Sequence, residues 1–285
     1  MDCVWTAVCQ KNRFLGDCQN DPLIAIERDC EDENKVTFCV GICVRDGLLA
    51  LADTRIVKGD EHSVKSKLSV QHNGQDYWWV MTSGLRSIRD KAMTYFEQEQ
   101  SEKTIASTNL FEIANDFGKQ LRRVREEDGS ALASGGFPFN SHAIIGGRLS
   151  NDSNLKMYYI YPEGNWIESN QDSPYFIIGR TPYAKPILDR LLRYDTPLRK
   201  VAALAFLAFD ATRTCVTDVG FPIDITVLSN GSKDPLHQRF DAEKLTPISH
   251  WWNETLFEAI KKFPNEYFDS LFSPTASAIQ PPNRL

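Results

Sequence analysis

The chain has 285 residues, of which 42% are hydrophobic and 25% charged, with a formal net charge of −6. That length suits one large domain or two small ones with ample material for a buried core, and the acidic balance argues against a nucleic-acid or anionic-membrane partner. The longest strongly apolar run, Val201 to Phe209, is far short of the roughly 20 residues that cross a bilayer, and Asp2 stands where a secretory signal carries positive charge, so a cytoplasmic protein is the expectation.

Residues 1–36 show no lasting periodicity and include a charged run from Arg28 to Lys35, which reads as a poorly ordered extension or a pro-segment. From Thr37 to Arg55 the pattern changes. Two runs of β-branched and apolar residues flank Asp46-Gly47, a strong hairpin signal. A two-residue Asp46-Gly47 loop pairs Arg45 with Leu48 and puts Thr37 and Asp53 on opposite faces. A three-residue loop with Gly47 left-handed pairs Val44 with Leu48, sets Asp53 opposite Cys39, and brings Thr37 and Asp53 to roughly 7–8 Å as diagonal neighbours. On this reading only the second register makes a site. Either way both faces are apolar, with Phe38, Val40, Ile42, Val44 and Ala50 on one and Gly41, Cys43, Leu49 and Leu51 on the other. Such a hairpin needs cover from both sides.

Lys58 to Lys67 reads as a polar link into a strand at Leu68-Ser69-Val70, and Asn73-Gly74 turns it back into Tyr77 to Thr82. Leu85, Ile88, Ala92, Tyr95 and Phe96 recur at helical spacing, as do Leu110, Ile113, Ala114, Phe117, Leu121 and Val124; the second helix is expected to end before Asp128-Gly129, with a small-residue loop from Ser130 to Gly136. Strands follow at His142–Leu149, Leu155–Tyr161, Trp166–Ser169 and Tyr175–Gly179, with a turn at Pro162 to Asn165. Two more helices span Tyr183–Arg193 and Pro197–Arg213, the latter with Thr196 as N-cap, Pro197 in the first helical position, and apolar residues almost all round. Ile223 to Leu228 closes the set. Strands, two helices, strands, two helices, strand is the order of an α+β sandwich, with two antiparallel sheets face to face and helices outside. Beyond it, the aromatic-rich tail holding Trp251, Trp252, Phe263, Tyr267, Phe268 and Phe272 must pack on the parent domain or on another subunit.

The cysteines and histidines offer no metal motif. Cys3, Cys9, Cys18 and Cys30 are spaced for no zinc site, Cys39, Cys43 and Cys215 read as small buried hydrophobes, and His62, His72, His142, His237 and His250 form no ligand pattern. With no Gly-rich phosphate loop either, no cofactor is expected. A threonine hydroxyl, by contrast, becomes a nucleophile when a base takes its proton, and the α-amine of a chain that begins at Thr37 could be that base. A lysine ammonium favours the neutral amine and the developing alkoxide, and an aspartate holds the lysine in place. Thr37, Asp53 and Lys67 supply those parts, with Lys65 as the alternative lysine.

Together these segments resemble the start of a proteasome-type β-subunit: Thr37-Phe38-Cys39-Val40-Gly41-Ile42, then Asp46-Gly47, then Ala52-Asp53-Thr54-Arg55. Further stretches are similar to one branch of that superfamily, the bacterial ancestral β-subunit family called Anbu. They are Met81 to Gly84, Ile144 to Gly147, Tyr161 to Asn165, Ile178 to Arg190 and Val219 to Asp224. The resemblance covers about Thr37 to Phe272 and implies the four-layer αββα fold of N-terminal-nucleophile hydrolases. It also implies a ring-like or open-spiral homo-oligomer acting on peptide or protein amide bonds, with Thr37, Asp53 and Lys67 on the family's nucleophile, aspartate and lysine. Thr181 and Asp218 fall where relatives place accessory polar groups, although a serine is usual near the second. Backbone N–H groups near Gly84 or Gly179 would hold the oxyanion. Members of this branch begin Met-Thr, whereas Val36 precedes Thr37 here; residues 1–36 are either a pro-segment removed by self-cleavage or lie upstream of a valine-type start. The expected organisation is 1–36 as extension, 37–232 as the hydrolase domain and 233–285 as a helical, aromatic-rich extension. The functional readings are a threonine peptidase or amidase, and a catalytically silent ring subunit serving as scaffold. Neither an unfoldase partner nor the substrate can be read from the residues.

Overall fold

A computed structural model describes residues 37–58 and 61–272; the expectations for residues 1–36 and for the end of the tail lie outside the described residues. The elements in chain order are β1 (Phe38–Val44), β2 (Gly47–Asp53), β3 (Arg55–Lys58), β4 (Glu61–Val64), β5 (Leu68–Asn73), β6 (Asp76–Gly84), α1 (Arg86–Glu102) and α2 (Leu110–Ser134). They continue with β7 (Ser141–Arg148), β8 (Lys156–Ile160), β9 (Trp166–Glu168), β10 (Tyr175–Gly179), α3 (Lys185–Leu191), α4 (Leu198–Arg213), β11 (Ile223–Ser229), β12 (Leu236–Phe240) and α5 (Ala242–Lys261). A 3₁₀ turn at Asn265–Phe268 and α6 (Asp269–Phe272) close the described chain.

The two large sheets run β10-β1-β2-β11-β12 and β5-β6-β7-β8-β9, and β3 and β4 form a small separate hairpin. Every pairing is antiparallel. The large sheets meet face to face over a core in which Cys39, Ala50 and Ala52 of one lie against Trp79, Met81, Ile144 and Met157 of the other. Glycines on both sheets make room for one large ring. A methyl group at Gly41 would stand 2.9 Å from the Trp79 ring, and one at Gly146 2.4 Å from it. On the outer face of the first sheet, Phe38, Val40, Ile42, Leu49 and Leu51 pack beneath Val201, Ala205 and Phe209 of α4. Outside the second sheet, Val80, Ala143, Ile145 and Tyr158 pack beneath Ile88 and Phe96 of α1 and Ile113 and Phe117 of α2. Each such large side chain contributes about 1.5–3 kcal/mol on burial, and the layers read helix, sheet, sheet, helix: the four-layer αββα sandwich. Among the described residues no helix is long and apolar enough to cross a membrane.

The hairpin register differs from both expected forms. Val44 pairs with Gly47 and Cys39 with Ala52, so Arg45-Asp46 is the turn and Asp53 falls opposite Phe38. Gly47 is therefore a strand residue, and its lack of a side chain serves close approach: a Cβ there would lie 2.5 Å from the Leu228 carbonyl oxygen on β11. In consequence Leu49 and Leu51 join Phe38 on the outer face, while Ala50 turns inward.

Other differences have local causes. α2 runs through Asp128-Gly129 to Ser134. The Asp128 carboxylate is held by Lys91 Nζ from α1 at 2.9 and 2.8 Å, and the isolated glycine costs about 1 kcal/mol, too little to stop a helix that resumes with Ala131-Leu132-Ala133. Thr196 does not cap α4; its Oγ1 accepts the Arg193 N–H at 2.9 Å, so it closes the segment leaving α3, and α4 starts at Leu198. The polar β3–β4 hairpin occupies part of the expected link, and β12 pairs with β11 inside what was expected to be a helical extension. The tail docks only in part. Leu245 and Trp252 pack on the α4 core and Ser249 Oγ donates to Asp210 Oδ1 at 2.7 Å, whereas Phe257, Ile260, Tyr267, Leu271 and Phe272 are exposed.

Candidate active site

Three chain segments converge at the start of β1. Thr37 immediately precedes β1, Asp53 ends β2, and Lys67 immediately precedes β5 in the opposing sheet. Thr37 Oγ1 donates to Asp53 Oδ1 at 2.9 Å, the Phe38 N–H donates to the same oxygen at 2.8 Å, and Lys67 Nζ donates to it at 2.7 Å. The register that places Asp53 opposite Phe38 does not forbid the cluster. At the strand's end the carboxylate reaches along the sheet to the Phe38 amide, and strict alternation of faces no longer decides which neighbours it meets.

The cluster is dry: the Lys67 and Asp53 side chains are 2% and 0% exposed. Burial pushes the Asp53 carboxyl above its ordinary value, and the Lys67 ammonium and the three donors offset part of that rise. Asp53 Oδ2 is buried without a hydrogen-bond partner among the described residues. Cys39, expected as a small buried hydrophobe, has its Sγ 3.8 Å from Thr37 Oγ1. Burial, reinforced by the Asp53 charge, pushes its thiol up to about 12, so it stays protonated and inert beside the threonine.

Thr37 is seated from the other side by β10. Its carbonyl oxygen accepts the Arg180 N–H at 2.8 Å. Gly179, at φ +89°, lies so close that a Cβ would stand 2.0 Å from that oxygen; this is one position where only glycine fits. Gly84 ends β6 at φ +105°, with a Cβ excluded by the Asn140 carbonyl oxygen at 2.1 Å.

The remaining expected residues lie elsewhere. Lys65 is half-exposed and pairs with Asp90 at 3.5 Å. Asp218 takes the Arg180 guanidinium through Nε at 3.0 Å and Nη2 at 2.9 Å. The Thr181 carbonyl accepts the Ala184 and Lys185 N–H groups at the entry to α3, and its residue lines a separate cavity with Tyr159, Tyr175 and Asp189. Neither Thr181 nor Asp218 hydrogen-bonds to Thr37. Arg55 donates to the Thr217 carbonyl at 3.1 Å, which leaves Asp53 to Lys67.

One site neighbour escaped the sequence reading. Arg89 on α1 is 9% exposed and lines a cavity of about 390 Å³ with Lys67, Thr82, Asp90 and Thr94. The signal was present: Arg89 lies four residues after Leu85 and three before Ala92, on the apolar stripe itself. Among the described residues no group of histidine, cysteine and carboxylate side chains is placed to hold a metal ion.

No protein-family model and no curated protein matches the chain. Solved structures do. Anbu from Hyphomicrobium sp. strain MC1 superposes with a TM-score of 0.72 at 29% identity, covering 80% of this chain and 98% of that one. Anbu (ancestral β-subunit) from Yersinia bercovieri gives 0.72 at 27% identity over 80% and 98%, and the helical assembly of the Anbu complex from Pseudomonas aeruginosa gives 0.73 at 26% over 80% and 97%. The antiparallel αββα sandwich is of the proteasome type, and the chain is similar to the Anbu proteins in fold and, at 26–29% identity, in sequence.

Proposed function

We propose that this chain is a proteasome-like threonine peptidase or amidase that works in a homo-oligomer, with Thr37 as nucleophile once its α-amine is free. The observation that carries the reading is the buried contact of Thr37 Oγ1 and Lys67 Nζ with one oxygen of Asp53, at 2.9 and 2.7 Å. The freed amine takes the hydroxyl proton as Oγ1 attacks the scissile carbonyl carbon. Lys67 stabilises the negative charge that develops, and Asp53 keeps the ammonium charged and aimed. Collapse of the tetrahedral species passes the proton to the leaving amine and leaves an ester on Thr37, which water then hydrolyses. Assembly is supported by the helical complex of the Pseudomonas aeruginosa relative and by the exposed Phe257, Ile260 and Phe272 on the tail.

A silent scaffold subunit is the second reading. In the chain as it stands Thr37 nitrogen is in peptide linkage to Val36 and has no basic lone pair. Intact-mass measurement on protein from the natural gene, together with peptide hydrolysis, separates the two. A mature species beginning at Thr37 that cleaves peptide amides, and a Thr37→Ala variant that folds but does not, support the enzyme. A chain that keeps its leading segment, or hydrolysis unchanged in Thr37→Ala, overturns it.

A further inference from the structure

The cavity beside the Asp53 cluster has a charged floor that the proposed chemistry does not use. Lys67 forms the common wall, its ammonium bonded to Asp53 on one side while its residue borders the cavity on the other. Arg89 comes from the first turns of α1 and is nine-tenths buried, yet the nearest carboxylate oxygen to its guanidinium, Asp90 Oδ1, is 3.8 Å from Nε and beyond hydrogen-bond range. The Arg89 donors open into the cavity, where an entering acceptor can take them.

The other charges on the cavity do not fill that role. Asp90 is 41% exposed and is occupied by Arg86 at 3.1 Å and Lys65 at 3.5 Å. Lys65 and Glu97 are exposed residues that, with Asp90, set the rim. Ser66 Oγ is turned away to Asp224 at 2.7 Å, while Thr82 and Thr94 add hydroxyls to the wall. The interior therefore presents a guanidinium next to Lys67 whose ion pair with Asp90, at 3.8 Å, does not take up its N–H donors.

We infer that this cavity is the pocket for the substrate side chain next to the scissile bond, and that Arg89 selects an acidic side chain there. A glutamyl or aspartyl carboxylate entering past the rim takes the Arg89 N–H donors in a charge-assisted, two-pronged bond, while an aliphatic side chain leaves those donors unfilled. The assignment rests on the proposed hydrolase reading for the position of the scissile bond, and its recognition element is testable apart from catalysis.

The test measures, by fluorescence polarisation, binding of short labelled peptides ending in a glutamyl, glutaminyl or leucyl carboxamide. It is run on the full chain and on the form beginning at Thr37, with the same three residues placed before the cleaved amide in a parallel hydrolysis assay. The expected result is that the glutamyl peptide binds at least about tenfold more tightly than its glutaminyl isostere, a factor corresponding to about 1.4 kcal/mol. Arg89→Met removes that preference and Arg89→Lys keeps part of it. Equal binding of glutamyl and glutaminyl peptides to the native chain overturns the pocket assignment even if Thr37 cleaves peptides. A glutamyl preference that depends on Arg89 upholds the assignment even if no peptide is cleaved, in which case the hydrolase reading alone falls. The glutamyl–glutaminyl comparison on the native protein needs no variant, so misfolding of Arg89→Met leaves the test intact.

Discussion

Replacing Asp53 with asparagine isolates the charge at the centre of the site. Asparagine keeps an oxygen for the Thr37 hydroxyl and the Phe38 amide, so the change removes little but the negative charge facing Lys67 at 2.7 Å. At an effective dielectric of about 20, two unit charges at that separation attract by about 6 kcal/mol, and a comparable penalty attends taking both from water. Because burial raises the Asp53 carboxyl, the folded state binds its proton more tightly than the unfolded chain. Ionising it thus reduces stability as pH rises from the ordinary carboxylate range through the folded value. The intact pair is therefore close to a net cost, whereas breaking it takes the counter-ion at 2.7 Å away from an ammonium at 2% exposure. Loss of one partner of a buried pair costs about 3–5 kcal/mol, and replacing both by neutral groups is near neutral. Asp53→Asn should lose about 3–5 kcal/mol in urea unfolding followed by tryptophan fluorescence, and Asp53→Asn with Lys67→Met should recover most of it. A single variant within about 1 kcal/mol of the native protein, or a double variant no more stable than the single, would refute this account of the site.

Two further outcomes follow from the same geometry. Gly179→Ala should lower the unfolding midpoint well beyond Gly231→Ala, since both have positive φ, at +89° and +84°, but only the first would drive a Cβ to 2.0 Å from the Thr37 carbonyl while the second meets nothing within 4 Å; backbone strain alone costs about 1–3 kcal/mol, and equal losses in the two variants would contradict the close approach. Burial alone would raise the Asp224 carboxyl, but Arg239, through Nε at 2.7 Å and Nη2 at 2.8 Å, and Ser66 together outweigh it and hold it below its ordinary value. Its contribution is complete above about 3.9, the unfolded value, and is lost as pH falls through the folded one, so stability titrations of Asp224→Asn should show a shallower acid decline than the native protein; parallel curves would show that the pairing is immaterial.

The layer architecture was legible because the strands and helices announce themselves by period and by turn residues, as at Asn73-Gly74 and Pro162 to Asn165. The hairpin was legible as a hairpin, but not in register. Asp46-Gly47 reads as a turn, and only contact with β11 reveals that Gly47 is small for another strand's sake. Strands β3, β4 and β12 carry few apolar residues and exist through pairing with partners, which a local pattern does not encode. The spacing of Thr37, Asp53 and Lys67 became meaningful through the resemblance of the surrounding segments to a family, since each residue alone suits an ordinary surface. Arg89 went unread because a charge inside a helical stripe is normally taken for a solvated position.

On the proposed hydrolase reading, the way Thr37 is seated separates making the scaffold from switching it on. Two backbone bonds that fix the residue, the Arg180 N–H donating to its carbonyl oxygen and the next amide donating to Asp53, lie on the C-terminal side of its α-carbon. Severing the chain just upstream leaves those tethers untouched, so the new terminus would stay where they hold it. On that reading the timing of exposure belongs to whatever breaks or omits a single peptide link.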